Sequence, residues 1–258
     1  MREARAAGLS YSDAVNEVPV KFRSDVTVEL IRGAARDQDV LYAARVSTLG
    51  EQSLQTAQNA DAEASDRDRG LIRYLMRDRH GSPFEHTSMT FFVEAPIFVF
   101  REFQRHRMAS YNEESGRYRE LRPVFYVPDA DRALVQEGKP GKYQFVAGTP
   151  EQHELVTAEI RRESENAYAS YQRMLDVGIA REVARAVLPL NIYSSMYVTV
   201  NSRSLMNFLS LRTKREDATF PSFPQREIEM CAEKMETIWR ELMPLTAAAF
   251  DENGRVAP

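Results

Sequence analysis

Four arginines, a histidine, an asparagine and two glutamates crowd the stretch RHRMASYNEESGRYR, Arg105 to Arg119. It follows directly on the apolar run Ala95 to Phe100. Ser110-Tyr111-Asn112 and Ser115-Gly116 are turn formers, which free backbone N–H groups. Arginines around a Ser-Gly turn converge forks, a hydroxyl and amides on one anion, which is the chemistry of a phosphate cradle. Glu113 and Glu114 would add acceptors for donors on a sugar or a base. A helix opened by Pro96 and running to about Arg107 would set Arg101 and Arg105 four apart on one face. The same composition equally suits a solvated, salt-bridged helix end.

Three further segments have this character. Arg181 and Arg185 are four apart in REVAR. The run TVNSRSLMN, Thr199 to Asn207, passes from strand to helix, a junction that often holds a phosphate or a ring. Arg212 then falls at the C-terminal end of that helix. Each has a plain alternative: Asn201 and Ser202 as caps, Arg212 as complement to the helix dipole. His80 and His86 flank GSPFE, a setting more often structural than catalytic. Cys231 reads as a small buried hydrophobe. Neither a Walker A motif nor GxGxxG occurs, so a bound dinucleotide would be held outside the Rossmann mode.

Stepping outward, the 258 residues suffice for a large core, and 43% apolar with 28% charged residues is ordinary for a globular protein. A net charge of −4 disfavours a nucleic-acid-binding module built on residues 101–119, as do the embedded glutamates. One cysteine excludes a disulfide framework or a thiolate zinc site, and four histidines without HExxH spacing predict no metal. The N-terminus lacks an apolar targeting core and no run suggests a membrane span. A cytoplasmic protein is expected.

The elements that must position these groups follow from patterning. Residues 1–22 are polar and aperiodic, an expected N-terminal arm; 23–250 form the expected domain and 251–258 a C-terminal tail. Strands are expected at Val26–Leu30, His86–Val93, Val124–Val127 and Ile192–Val200. Helices are expected at Asp37–Ser47, from the cap Ser65, from Pro96 to about Arg107, and from Pro150 to about Asp176, with Leu155, Ile160, Ala167, Tyr171 and Leu175 inward. Shorter helices run from Ala180 to Leu188 and from the cap Ser202, and Pro224 opens a last one through about Met243. Residues 48–64 read as a loop and 128–150 as a surface excursion. Helices and strands mix without a βαβ rhythm, which predicts an α+β class with a mixed or antiparallel sheet.

The spacing RHRx7S, Arg105-His106-Arg107 to Ser115, resembles that of flavin-dependent thymidylate synthases. AARVS (43–47), LIRYLMRDRHGSPFEH (71–86), REVARAVLPLN (181–191) and TVNSRSLMNFLSLR (199–212) resemble family segments in the expected order. The resemblance implies an α+β homotetramer with active sites shared between subunits. It implies methylation of dUMP at C5, with methylenetetrahydrofolate as one-carbon donor and NADPH-reduced FAD as hydride source. It implies that Ser47, His80, Ser82, Arg105, His106, Arg107, Asn201, Arg203 and Asn207 hold FAD. Glu113, Ser115, Gly116, Arg117, Arg185 and Arg212 would hold dUMP, with Arg105 near both ligands and Arg105 and Arg212 at the reacting groups. Arg212 polarising a uracil carbonyl would favour charge build-up in the ring. Two departures stand out. Glu102 occupies a position where the family often has glutamine, and it is left outside the site because a carboxylate would repel phosphate. TKREDATFPSFPQRE (213–227) resembles an insertion, with Phe223 where the family has a histidine. A nucleotide-binding homologue without turnover therefore stays open.

Overall fold

A computed structural model of the chain describes residues 19–58, 65–139 and 142–258; most of the expected arm, 1–18, lies outside the described residues. In chain order the elements are β1 (Lys21–Arg23), β2 (Thr27–Ala34), α1 (Asp37–Leu49), α2 (Ser53–Gln58) and α3 (Asp66–Arg77). A 3-10 turn at Ser82–Glu85 leads into β3 (Ser88–Pro96), α4 (Ile97–Phe103), β4 (Ser110–Glu113) and β5 (Val124–Tyr126). Then come β6 (Val135–Lys139), β7 (Lys142–Val146), α5 (Pro150–Asp176) and α6 (Arg181–Ala184). Past a 3-10 turn at Arg185–Val187 lie β8 (Tyr193–Val200), α7 (Ser202–Arg212), α8 (Arg226–Leu242) and α9 (Pro244–Glu252). The α+β expectation holds. The chain divides into two compact units, one of Ser24–Gly116 with Leu190–Pro258, the other of Arg117–Pro189 with β1.

The larger unit is built on a four-stranded sheet in the order β2-β3-β8-β4, antiparallel at every pairing. Period-two alternation places Met89, Phe91 and Val93 of β3 and Met196 and Val198 of β8 in the core. Thr90 and Thr199, paired in register, meet on the other face with hydroxyls 2.9 Å apart. On α8, Ile228, Cys231, Ala232, Met235 and Trp239 recur at three- and four-residue spacing and are all buried. Each large apolar side chain so buried stabilises the fold by about 1.5–3 kcal/mol relative to exposure.

A buried polar relay sets the start of α7. Trp239 Nε1 donates to Ser202 Oγ at 2.8 Å, and the Ser202 amide donates to Thr87 Oγ1 at 2.8 Å. Ser202 is therefore not the cap expected; Asn201 is, its side chain accepting from the Ser204 amide at 2.9 Å. The last helix is not the one opened near Pro224, because α9 follows. Pro244 stands in its first turn, and the buried Asp37 of α1 accepts from the amides of Leu245 and Thr246 at 2.9 Å. That cap is more than two hundred residues away in sequence, so local pattern could not reveal it. The expected tail, 251–258, carries the end of α9 and three buried residues, Arg255, Ala257 and Pro258.

In the smaller unit the parallel pair β1–β5 and the hairpin β6–β7 accompany α5. Helix α5 spans the residues its pattern predicts. Thr149 and Gln152 cap each other reciprocally, and Gly178 follows at a φ of 84°, a left-handed turn that glycine enters freely. Its buried stripe is Ser164, Tyr168 and Tyr171, and Leu155 is exposed, against expectation. The Tyr168 hydroxyl donates to the Leu121 carbonyl at 3.0 Å, and the Leu121 amide donates to the Tyr171 hydroxyl at 3.4 Å. The stretches read as loop and excursion hold α2 and the β6–β7 hairpin, of which residues 59–64 and 140–141 lie outside the described residues.

Candidate active site

In the larger unit, α4 ends at Phe103, four residues before the expected Arg107, so Arg101 and Arg105 do not share a helical face. Two contacts stop it. Ser110 to Asn112, expected as turn formers, instead join Glu113 in pairing with Thr199 to Met196 as the sheet's edge strand β4. Tyr111 on β4 turns its hydroxyl to the carbonyls of Phe103 at 2.8 Å and His106 at 2.7 Å; the Phe103 carbonyl also accepts from the His106 amide at 2.9 Å. Burial pushes the Tyr111 phenol up to about 12, so it remains a donor. Composition alone gave no sign of this anchor.

The turn so formed presents the RHR residues. Arg105 and Arg107 are exposed and make no side-chain hydrogen bond or ion pair with the described residues, so a salt-bridged helix end does not describe them. His106 points the other way. Its ring meets Phe208 edge-on with centroids 4.8 Å apart, and Phe208 stacks on Phe103 at 5.0 Å. One turn further along α7, Arg212 Nε donates to His106 Nε2 at 3.0 Å, and Arg212 Nη1 pairs with Glu102 Oε2 at 2.6 Å. Burial, with the Arg212 charge adding to it, pulls His106 down to about 4, so it is neutral near pH 7. Burial raises the Glu102 carboxyl above its ordinary range although Arg212 opposes this.

Beside this triad lies a cavity of about 140 Å³. Its floor is apolar, with Phe103, Val198, Leu205, Phe208 and Met235, and its polar margin includes His106, Arg107, Ser204 and Asn207. A floor that suits a flat ring under a rim of donors fits a flavin. Three of the residues expected to hold FAD, His106, Arg107 and Asn207, thus stand together on the RHR turn and the middle of α7.

Arg203, Ser82 and His80 gather a short distance along the same unit. The 3-10 turn bearing Ser82 packs against both α1 and α7. Arg203 Nε donates to the Pro258 carbonyl at 2.7 Å, and its Nη1 pairs with Glu85. Gly81 is required here by space: a Cβ would overlap the Arg203 guanidinium and come within 2.8 Å of the Pro258 oxygen. His80 is exposed, its ring 5.5 Å from that of Tyr74, and Ser47 is exposed on α1. Asn201 spends its oxygen on the cap; Asn207 Nδ2 donates to the Arg203 carbonyl at 3.1 Å.

Of the residues expected to hold dUMP, Glu113 ends β4, and Ser115 and the buried Gly116 follow it. In the smaller unit, Arg117 pairs with Glu182 at 2.9 Å and Arg185 is exposed at the turn after α6. Arg117 and Glu182 are both more than half exposed, so that pair contributes little stability. Phe223 is exposed, and the segment before it is tied back by Ser222 Oγ donating to the Thr213 carbonyl at 2.5 Å. Cys231 is fully buried and its thiol is pushed far up by burial. No described cluster of His, Cys, Asp or Glu has metal-binding geometry, and no described helix is long and apolar enough to cross a membrane.

Residues 29–245 match the family model described as thymidylate synthase complementing protein, and the chain belongs to that family. Its relatives carry a more specific name. It is 68% identical over 240 residues to the flavin-dependent thymidylate synthase of Streptomyces coelicolor, covering 93% of this chain and 96% of the other. It is 61% identical over 237 residues to that of Tropheryma whipplei strain TW08/27, covering 92% and 97%. A crystal structure of a UMP/dUMP methylase, PolB from Streptomyces cacaoi bound with 5-Br dUMP, superposes with a TM-score of 0.86 at 57% identity. That match covers 93% of this chain and all of the other.

Proposed function

We propose that the protein is a flavin-dependent thymidylate synthase that methylates dUMP at C5. The overall change consumes dUMP, methylenetetrahydrofolate, NADPH and a proton, and yields dTMP, tetrahydrofolate and NADP⁺. Bound FAD, reduced by NADPH, supplies the hydride. The observation that carries the reading is Arg212, held at the end of α7 by His106 and Glu102 beside the RHR cavity.

Arg212 donates toward a uracil carbonyl and stabilises negative charge in the ring as C5 becomes nucleophilic. A cysteine thiolate cannot do this work here, because the chain's one cysteine is sealed in the core. Glu113, Ser115, Gly116, Arg117 and Arg185 hold the nucleotide, the arginines and the hydroxyl meeting its phosphate. Arg105 serves both ligands. His106, Arg107, Asn201, Arg203 and Asn207, with Ser47, His80 and Ser82, hold FAD. The enzyme works in the cytoplasm as a homotetramer with sites shared between subunits; the exposed Met108 beside the RHR turn suits burial by another subunit.

Purified protein should be yellow, and its flavin absorbance should bleach on anaerobic addition of NADPH. A colourless protein that cannot be reconstituted with FAD overturns the reading.

A further inference from the structure

We propose that Glu102 is a positioning residue, which holds the Arg212 guanidinium so that one of its nitrogens is aimed at the substrate. The family resemblance leaves this carboxylate outside the site as a repeller of phosphate; its geometry gives it another task.

The first observation is what Arg212 does with its three nitrogens. Nε is committed to His106 and Nη1 to Glu102, while Nη2 has no hydrogen-bond partner among the described residues. The guanidinium is planar, so anchoring two nitrogens fixes the plane and direction of the third. The side chains of Arg212 and Glu102 are only 19% and 22% exposed, so water does little to average that orientation. An unanchored arginine on a helix end would sample several rotamers, and ordering it on binding would cost affinity.

The second observation is the state of Glu102 itself. Its Oε1 is sealed from solvent and has no hydrogen-bond partner among the described residues. A buried ion pair kept for stability satisfies the remaining lone pairs; a half-satisfied one is costly. Glu236, in the same unit, is the contrast: its carboxylate is met by Arg215, Arg240 and Arg255. The Glu102 carboxylate has Arg212 as its one hydrogen-bonded partner among the described residues, so the gain it brings is control of that side chain. Preorganised donors of this kind need no rearrangement when charge develops in the transition state.

The inference rests on the reading of Arg212 as a dUMP-binding residue, and a double-mutant cycle tests it. Glu102→Ala should raise KM for dUMP roughly tenfold, with flavin absorbance retained, as expected for a lost hydrogen bond to a charged group. Glu102→Gln, which keeps an acceptor at the same reach and guards against a folding defect, should stay within about threefold of wild type. In the Arg212→Ala background, Glu102→Ala should change kcat/KM less than about twofold, because its effect passes through the missing arginine. An equal loss in both backgrounds, or none in either, overturns the proposal.

A second measurement does not depend on turnover. The Arg212 Nη1–H resonance, assigned by its disappearance in Arg212→Lys, should lie apart from the exposed arginines and join them in Glu102→Ala. If it does not move, Glu102 does not position Arg212, whatever the assay gives. If wild type shows no turnover while the resonance moves as stated, the reading of function fails and the positioning stands.

Discussion

Arg212 Nε lies 3.0 Å from His106 Nε2, and this contact fixes the protonation of the histidine. An arginine nitrogen can only donate, so Nε2 must accept and the ring proton must sit on Nδ1. An imidazolium has no acceptor to offer. Charging His106 therefore breaks the link between the RHR turn and the end of α7.

The pH dependence of stability follows from that. His106 titrates near 6.5 when unfolded and about 4 when folded, so the unfolded chain binds the extra proton as pH falls. The stability this group confers is present above 6.5 and is lost as pH drops toward 4, by about 1–2 kcal/mol between pH 7 and 5. Glu102, raised in the folded state, works in the opposite direction, so the comparison must isolate the histidine. Urea unfolding of wild type and His106→Gln at both pH values should show the smaller loss in the variant. Parallel losses would deny His106 its depressed pKa.

Arg212→Ala separates the two ligands. It removes the donor proposed for uracil while leaving Arg105, Arg107, Arg203 and Asn207. Turnover on dUMP should fall by about 10²-fold or more, the scale of a deleted transition-state donor, with FAD still bound after gel filtration. Unchanged kinetics would take Arg212 out of the site.

Gly81→Ala examines the flavin residues from the other side. Its backbone is ordinary for any residue, at φ −75°, so strain is not at issue. The added methyl must displace both the Arg203 guanidinium and the Pro258 carbonyl. FAD affinity should drop several-fold, read by fluorescence titration, while the melting temperature changes little. Full flavin affinity would show that Arg203 does not reach the cofactor.

Arg255 carries a purely structural expectation. It is 3% exposed and meets Glu236 at 2.8 Å, Asp251 at 2.8 Å and Thr213 Oγ1 at 3.0 Å. Arg255→Ala leaves the buried Glu236 under-compensated and should destabilise by about 3 kcal/mol in denaturant unfolding. A loss below about 1 kcal/mol would mean that Arg240 and Arg215 suffice.

Much of this was legible in the sequence, and what was not has a common cause. The long helix α5 and the strands β3 and β8 follow from periodicity, because their burial repeats at two or at three to four residues. The RHR turn was misread as helix because its end is set by Tyr111 and by pairing of β4 with β8, contacts with a strand nearly ninety residues away in sequence. Asn201 took the capping role expected of Ser202 because Trp239, on α8, claims that serine's hydroxyl. Glu102 was set aside for its charge; only the fold reveals that Arg212 answers it. The chemistry-bearing residues could be read from type and motif, but their directions depend on partners distant in the chain.

The central claim is methylation of dUMP at C5, and loss of the C5 hydrogen reports it most directly. Flavin-loaded protein should release tritium from [5-3H]dUMP only when NADPH and methylenetetrahydrofolate are both present. No release from protein shown to carry FAD would contradict the account and leave a nucleotide-binding homologue without turnover.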